Sequence, residues 1–270
     1  MAAGSREERV AVAAARAAGR VAAARYRKAF SVASKGNPRN LVTSVDRACQ
    51  RAVIASIRRA FPRARVMAEE DPDALLQDPG GELWLVDPLD GTLNYVHGCP
   101  LFAHSVALVR DGRAVAGAID APALREAFSA SRGQGVRLNG GRIRVTATRR
   151  LPWSLLATGF PYDLGRRPPR LRNVREFNAF LLASQGVRRL GSAALDLAYV
   201  AAGVFDGFWE LALYPWDVAA GVLLVEEAGG RVTDLRGRPF HIFRSLDGIV
   251  ASNGPIHRAM VEVFRRAGPE

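Results

Sequence analysis

The apolar positions of this chain follow one period near its start, another in its middle and a third in its second half. From about Ser5 to Ala33, Val, Ala and Arg recur at helical spacing, which predicts a long amphipathic helix. Lys35-Gly36-Asn37-Pro38-Arg39-Asn40 breaks that period and predicts a loop. Leu41-Val42-Thr43 leads into Ser44-Val45-Asp46. A second helix follows to about Ala60, with Val53, Ile54 and Ile57 on its apolar side and Phe61-Pro62 as its stop.

Strand signals come next. Arg65 to Ala68 predicts a short strand ending at Glu69-Glu70-Asp71, and the residues through Gly81 predict an irregular loop. Leu83-Trp84-Leu85-Val86 predicts a buried strand that ends at Asp87, because Pro88 forbids regular continuation. Ala103 to Val109 and Ala114 to Ile119 flank Asp111-Gly112, a hairpin signal. Glu126 to Ala130 and Val136 to Leu138 continue the meander, with Asn139-Gly140 as a second tight turn. The first half therefore predicts helices packed on an antiparallel sheet.

The second half alternates. Strands are expected at Leu155 to Thr158, Val187 to Leu190, Phe205 to Leu211, Arg231 to Thr233 and Ile249 to Ala251. Helices are expected at Leu171 to Ser184, Ala193 to Ala201, Trp216 to Glu227 and Pro255 to Arg265. Such alternation implies an α/β layer. The expected division is an N-terminal α+β lobe over 1–145 and a C-terminal α/β lobe over 146–270, in one compact unit, with the join near Arg144 to Leu151. No internal repeat or low-complexity linker is evident.

Composition narrows the class. A chain of 270 residues has ample core, and 49% hydrophobic with 24% charged residues is ordinary for a globular protein. No 18-residue uncharged apolar run exists, so no membrane span is expected. The Ala- and Arg-rich start resembles a transit peptide, but Glu7 and Glu8 interrupt it, which favours the first helix of a mature protein. Cys49 and Cys99 lack metal-ligand spacing and suit idle thiols in a reducing cytoplasm. The net charge of +12 raises a nucleic-acid or RNA polymerase contact. The arginines are scattered apart from short pairs, however, and no aromatic-interleaved basic tract occurs. Arg, Ala, Gly and Pro all use GC-rich codons. A compositional origin predicts RNA binding no tighter than about 10⁻⁴ to 10⁻⁶ M.

Chemistry concentrates at Trp84 to Tyr95. Asp87 and Asp90 stand three residues apart, followed by Gly91 and Thr92. If a helix starts there, the amides of Gly91 and Thr92 face what the aspartates face, an anion site beside a cation site. Acidic residues also fall where strands end or helices begin, at Asp46, Glu69, Glu70 and Asp217. Clustered carboxylates repel one another, and a divalent cation removes that problem. Hard oxygen donors favour Mg²⁺ over Zn²⁺. His97 and His104 share no ligand spacing and suit packing or rim positions.

Ala-Glu-Glu at 68–70, Asp-Pro-Leu-Asp-Gly-Thr-Leu-Asn-Tyr at 87–95 and Trp-Asp-Val-Ala-Ala-Gly at 216–221 resemble the three signatures of the inositol monophosphatase family. Lys35, Leu41-Val42-Thr43, Asp46 and Gly191-Ser192-Ala193-Ala194 fit as well, so the resemblance spans nearly the whole chain. Ala68, Leu89 and Tyr95 depart from the commonest pattern, and none removes a ligand.

The resemblance implies an αβαβα sandwich, a homodimer and two to three Mg²⁺ per site. It implies that Glu69, Asp87 and the Leu89 carbonyl hold one ion, and that Asp87, Asp90 and Asp217 hold a second. Glu69 also touches a third. Thr92, paired with Asp46, positions and deprotonates the attacking water. The amides of Gly91 and Thr92 take the phosphate. Asp90, Asp217, Glu210 and the backbone of Gly191, Ser192 and Ala193 meet the alcohol. The implied reaction is Mg²⁺-dependent, lithium-sensitive hydrolysis of a small phosphate monoester, with inositol 1-phosphate as leading substrate. Fructose 1,6-bisphosphate, histidinol phosphate and nucleotide 3′-phosphates are the alternatives. A role in transcription or ribosome biogenesis is the alternative of another class.

Overall fold

The computed structural model describes residues 4–71, 80–162, 173–244 and 247–267. The first helix, α1, spans Arg6–Arg25 and starts where the Ser5 hydroxyl accepts the Glu8 amide at 3.1 Å. Its buried face is built from Ala11, Ala14, Ala15, Ala18, Gly19 and Ala22, so it lies close on its neighbours. The helix stops eight residues earlier than the periodicity predicts. Arg27 takes a left-handed backbone at φ 59, and Tyr26 and Phe30 turn inward to pack against Tyr95 and Phe102. Burying that aromatic cluster outweighs the weak preference of 26–33 for helix.

The loop expected at 35–40 is instead a hairpin of β1 (Val32–Asn37) and β2 (Asn40–Thr43). Pro38 and Arg39 form its turn, so loop composition marked only the tip. The helix α2 (Ser44–Ala60) begins with a capping box, in which Thr43 Oγ1 accepts the Asp46 amide and Asp46 Oδ2 accepts the Thr43 amide.

A seven-stranded sheet runs β3-β4-β5-β6-β7-β8-β9. Its strands are Val66–Ala68, Glu82–Asp90, Ala103–Arg110, Arg113–Ala121, Glu126–Ser131, Val136–Leu138 and Gly141–Arg142. It is antiparallel except for the parallel β3–β4 pair. The strand β4 does not end at Asp87. Its register against β5 jumps from Asp87↔Ser105 to Asp90↔Ala103, placing Pro88 and Leu89 opposite His104 alone. Proline, which has no amide proton to give a ladder, sits in this bulge without cost to the pairing.

The second sheet runs β11-β10-β12-β14-β13, from Gly186–Arg188, Leu155–Thr158, Gly207–Leu211, Gly248–Ser252 and Arg231–Thr233. The remaining helices are α3 (Thr92–Val96), α4 (Val174–Ala183), α5 (Ala193–Ala201), α6 (Pro215–Glu227) and α7 (His257–Ala267). The expected helix start at Leu171, like most of the loop before Gly81, lies outside the described residues.

Five layers result. α1 and α2 cover one face of the large sheet, α5 and α6 fill the space between the sheets, and α4 and α7 cover the far face of the small sheet. This is the layered αβαβα arrangement. Each interface has its own apolar core: one centred on Val53, Trp84 and Phe102, one on Leu195, Phe208 and Leu223, and one on Phe180, Trp209 and Met260.

One buried group ties the fold to pH. The His257 ring is buried, with its nitrogens 2.9 Å from Thr233 Oγ1 and 2.8 Å from Ser252 Oγ. Burial, with the Arg231 charge adding to it, lowers its pKa to about 4. The folded state therefore binds its proton less readily than the unfolded chain, in which histidine titrates near 6.5. The stabilisation is complete above pH 6.5 and is lost as pH falls towards 4. We expect the urea midpoint to fall across that window by an amount worth on the order of 2 kcal/mol. In His257→Gln that part of the slope should vanish; an unchanged slope would assign it to other groups.

Candidate active site

The bulge in β4 turns one strand end into a site. It carries Asp87 and Asp90 past each other's register, and Gly91 then turns the chain into α3. Gly91 has φ 84, and a Cβ there would stand 2.9 Å from the Leu101 carbonyl oxygen and 3.2 Å from that of Gly191. Only glycine fits both the dihedral and the approach. Asn94 fastens the two loops together, its Nδ2 donating to the carbonyls of Leu101 at 2.6 Å and Leu190 at 2.8 Å.

Around this turn lies a cavity of about 300 Å³, near the lower bound for small-molecule sites. Its walls include Glu69, Asp87, Leu89, Asp90, Gly91, Thr92, Gly191, Ser192, Ala193, Glu210 and Asp217. Five separate segments thus meet. Glu69 follows β3, Asp87 and Asp90 end β4, Gly191 to Ala193 open α5, Glu210 is on β12 and Asp217 is in the first turn of α6. Lys35 of β1 also lines it, whereas Asp46 lies behind Thr92 and Glu70 behind Lys35.

Most of the acidic groups are held by named partners. Asp87 Oδ1 accepts the Leu89 amide at 3.0 Å. Asp90 Oδ2 accepts from Ser192 Oγ at 2.6 Å and from the Ala194 amide at 2.7 Å. Asp217 Oδ2 accepts the Tyr214 amide at 2.8 Å. Thr92 Oγ1 sits 2.8 Å from Asp46 Oδ1 and 2.9 Å from the Leu89 carbonyl oxygen. Lys35 Nζ reaches Glu69 Oε1 at 3.0 Å and Glu70 Oε1 at 2.6 Å.

Their crowding costs free energy. Burial, then the charges of Glu69, Asp90 and Asp217, push the Asp87 carboxyl well above its usual range. Burial and the Glu69 charge do the same to Asp217. Asp90 is pushed up to about 6 by burial, against the pull of the Ser192 hydroxyl and the backbone amides around it. Glu210 is pushed up to about 8 by burial and the Asp90 charge. Asp196, one turn along α5, is wholly buried with neither oxygen partnered among the described residues, and it too is pushed up by burial. Desolvation alone would lower Lys35, yet the Glu69 and Glu70 carboxylates hold it charged.

As placed, no three of the described His, Cys, Asp and Glu side chains close on one point at ligand distance, and Glu69 is engaged by Lys35. The donor set is nonetheless all carboxylate and carbonyl oxygen, buried and mutually repelling. Hard divalent cations suit such a set.

His104 is no ligand candidate. Its Nδ1 lies 2.6 Å from the Pro88 carbonyl oxygen, burial lowers its pKa to about 4, and it buttresses the bulge from beneath. His97 is exposed and does not line the cavity. The Tyr95 hydroxyl finds a partner in the Ala22 carbonyl at 2.8 Å. Several lining residues carried no motif: Arg39 at the β1–β2 turn, Gly159 to Tyr162, and Arg189. Gly159 has a structural reason. A Cβ there would fall 2.2 Å from the Glu210 carboxylate.

A profile of the inositol monophosphatase family matches residues 5–268. The Nus factor SuhB of Escherichia coli strain K12 is 41% identical over 259 residues, covering 95% of this chain and 94% of that one. An inositol-1-monophosphatase of Mesorhizobium japonicum is 42% identical over 242 residues, covering 88% and 87%. A solved inositol monophosphatase from Anabaena (Nostoc) sp. PCC 7120 aligns with a TM-score of 0.86 at 40% identity, over 97% of this chain and 96% of that one.

Proposed function

This chain belongs to the inositol monophosphatase family, whose members are Mg²⁺-dependent phosphatases, and from that membership we propose that it hydrolyses a small polyol phosphate monoester, inositol 1-phosphate first among candidates. The observation that carries the proposal is the convergence of Glu69, Asp87, Asp90, Asp217 and Glu210 on one cavity beside Gly91 and Thr92. A relative of this chain is named an inositol-1-monophosphatase.

Glu69, Asp87, Asp90, Asp217 and the Leu89 carbonyl would hold two to three Mg²⁺. When bound, Mg²⁺ neutralises the carboxylates, acidifies water and withdraws charge from phosphate oxygens. The chain's own groups do the positioning. Thr92, with its proton directed to Asp46 Oδ1, leaves a lone pair on Oγ1 that accepts from the attacking water and aims it. The Gly91 and Thr92 amides receive phosphate oxygens. Asp90 is held by Ser192 and Ala194, so the β4 end and the α5 start keep a fixed separation for the alcohol. Glu210 accepts substrate hydroxyls, and Lys35 balances Glu69 and Glu70 on the entrance side.

The test is phosphate release from inositol 1-phosphate, fructose 1,6-bisphosphate, histidinol phosphate and 3′-phosphoadenosine 5′-phosphate. Inositol 1-phosphate should give the largest kcat/KM; a nucleotide in first place would overturn the substrate choice. Glu210→Gln should weaken turnover of inositol 1-phosphate by about 1–3 kcal/mol and leave p-nitrophenyl phosphate, which has no neighbouring hydroxyls, nearly unchanged. Equal losses on both would mean Glu210 supports the fold or the cations instead. Lithium should inhibit, as resemblance implies.

The proposed setting is the cytoplasm; among the described residues no helix is long and apolar enough to cross a membrane. We also propose a homodimer, which the exposure of Leu181, Leu182 and Trp153 favours. Sedimentation should then give twice 29.1 kDa, and a monomer at micromolar concentration would remove that reading. The relatives named Nus factor SuhB favour a second role in transcription complexes, which salt-sensitive binding to polymerase without Mg²⁺ would support.

A further inference from the structure

The positive charge of this chain is not spread through it. Residues 1–66 hold 15 Lys and Arg against three Asp and Glu, a net of +12, whereas residues 67–270 hold 23 of each. The whole excess therefore sits in α1, α2, the β1–β2 hairpin and the segments that join them to one another and to β3. Composition acting evenly on the genome would have spread it.

The fold then sorts it onto one surface. α1 and α2 are antiparallel, with Cys49 Sγ against the Ala18 carbonyl and Arg6 Nη2 donating to the Ala60 carbonyl at 2.9 Å. Their inner faces cover the large sheet. Arg16, Arg20 and Arg25 of α1 and Arg51, Arg58 and Arg59 of α2 are all exposed. Among the described residues none of the six takes part in a salt bridge. Asp120, buried under α1, feels the charges of Arg16 and Arg20 without forming a salt bridge to either. Between the helices runs a groove floored by alanines of both helices, Val21 and Ser56 and edged by Arg20, Arg25 and Arg59. None of these residues lines the catalytic cavity.

We propose that the α1–α2 face binds the sugar–phosphate backbone of a nucleic acid, without reading its sequence. Guanidinium groups match phosphate oxygens in paired hydrogen bonds, and their rigid forks lose little freedom in doing so. The small side chains let a chain of phosphates lie between two rows of arginine. A membrane suits the face less well. Its binding needs apolar anchors beside the basic residues, and the large exposed apolar side chains lie elsewhere, at Trp153, Val174, Leu181 and Leu182 among them. The face carries no base-stacking aromatic either, which limits contact to the backbone.

The test uses the full chain, a labelled single-stranded RNA of mixed sequence, and fluorescence anisotropy across a KCl series. Affinity at physiological salt should be tighter than about 10⁻⁶ M, beyond the usual non-specific range. A variant with Arg16, Arg20, Arg51 and Arg59 all changed to Gln should lose at least about tenfold. Its plot of log affinity against log salt should be shallower by about 0.7 for each phosphate contact removed. Lysine at the same four positions should restore most of the binding. A control with the same charge change elsewhere, Arg142, Arg149, Arg236 and Arg258 to Gln, should bind like the parent. Phosphatase turnover should be unchanged in all of them, which separates this face from the catalytic reading. Equal losses in the face variant and the control would overturn the proposal. So would binding to phosphatidylserine vesicles with none to RNA.

Discussion

Asp87→Asn should lower phosphatase turnover by on the order of 10³-fold or more while leaving the protein as stable as its parent or more so. The loss follows from charge. Glu69, Asp90 and Asp217 all act on the Asp87 charge. A neutral amide keeps the shape of the group but would not hold a cation as a carboxylate does, and removal of one preorganised electrostatic group costs a rate of this order. The stability gain follows from the same crowding. A buried carboxylate held far above its usual pKa is destabilising as an anion, and Asn relieves that repulsion. Asp217→Asn should behave alike, since an amide oxygen can still accept the Tyr214 amide that anchors α6. The measurements are kcat at saturating Mg²⁺ and the thermal midpoint without it. A loss of less than about tenfold, or a fall in midpoint, would remove these residues from the cation site.

Thr92→Val should cost about 10²-fold in kcat, within the range for one positioned proton-transfer group. Valine keeps the β-branched shape of Thr92 in the first turn of α3, so the Gly91 turn survives. What disappears is the one hydroxyl that touches both Asp46 Oδ1 and the Leu89 carbonyl. Asp46 keeps the Thr43 amide and hydroxyl, and the loss of one buried hydrogen bond should destabilise by only about 1 kcal/mol. Substrate KM should change little, because the hydroxyl aims water rather than holding the ester. Thr92→Ser, which keeps the oxygen, should restore most of the rate. If serine fails as badly as valine, packing and not the hydroxyl is what matters at this position.

Much of this site was legible before its geometry, because its residues occupy short strings whose spacing a strand end or helix start dictates. Asp217 is readable from Tyr214-Pro215-Trp216-Asp217: proline opens the helix, and the acid three residues after the N-cap returns to its amide. The bulge was half legible. Pro88 correctly forbade a regular ladder, but a strand can pass a proline by adding one residue, and only pairing with β5 shows that it does. The early end of α1 was not legible, since the cause lies 70 residues away in Tyr95, Gly98 and Phe102. The β1–β2 hairpin was missed for a related reason. Its residues are mostly exposed, so burial leaves no alternation to read. Arg39 and Tyr162 reach the cavity from segments with no periodic signal and Arg189 from an expected strand, and nothing local distinguished them from other surface residues. The distribution of charge was in the sequence throughout; counting pairs of arginines concealed it, and the layer order of the fold exposed it.

The central claim is that one carboxylate-lined cavity hydrolyses a phosphate monoester when Mg²⁺ fills it. The most direct test measures orthophosphate released from inositol 1-phosphate by metal-stripped protein as Mg²⁺ is added back, with the parent and Asp87→Asn side by side. The account predicts no turnover in excess chelator, a saturable return of turnover with Mg²⁺ in the parent, and no return in Asp87→Asn. Full turnover in chelator, or an Asp87→Asn protein that responds to Mg²⁺ as the parent does, would contradict it.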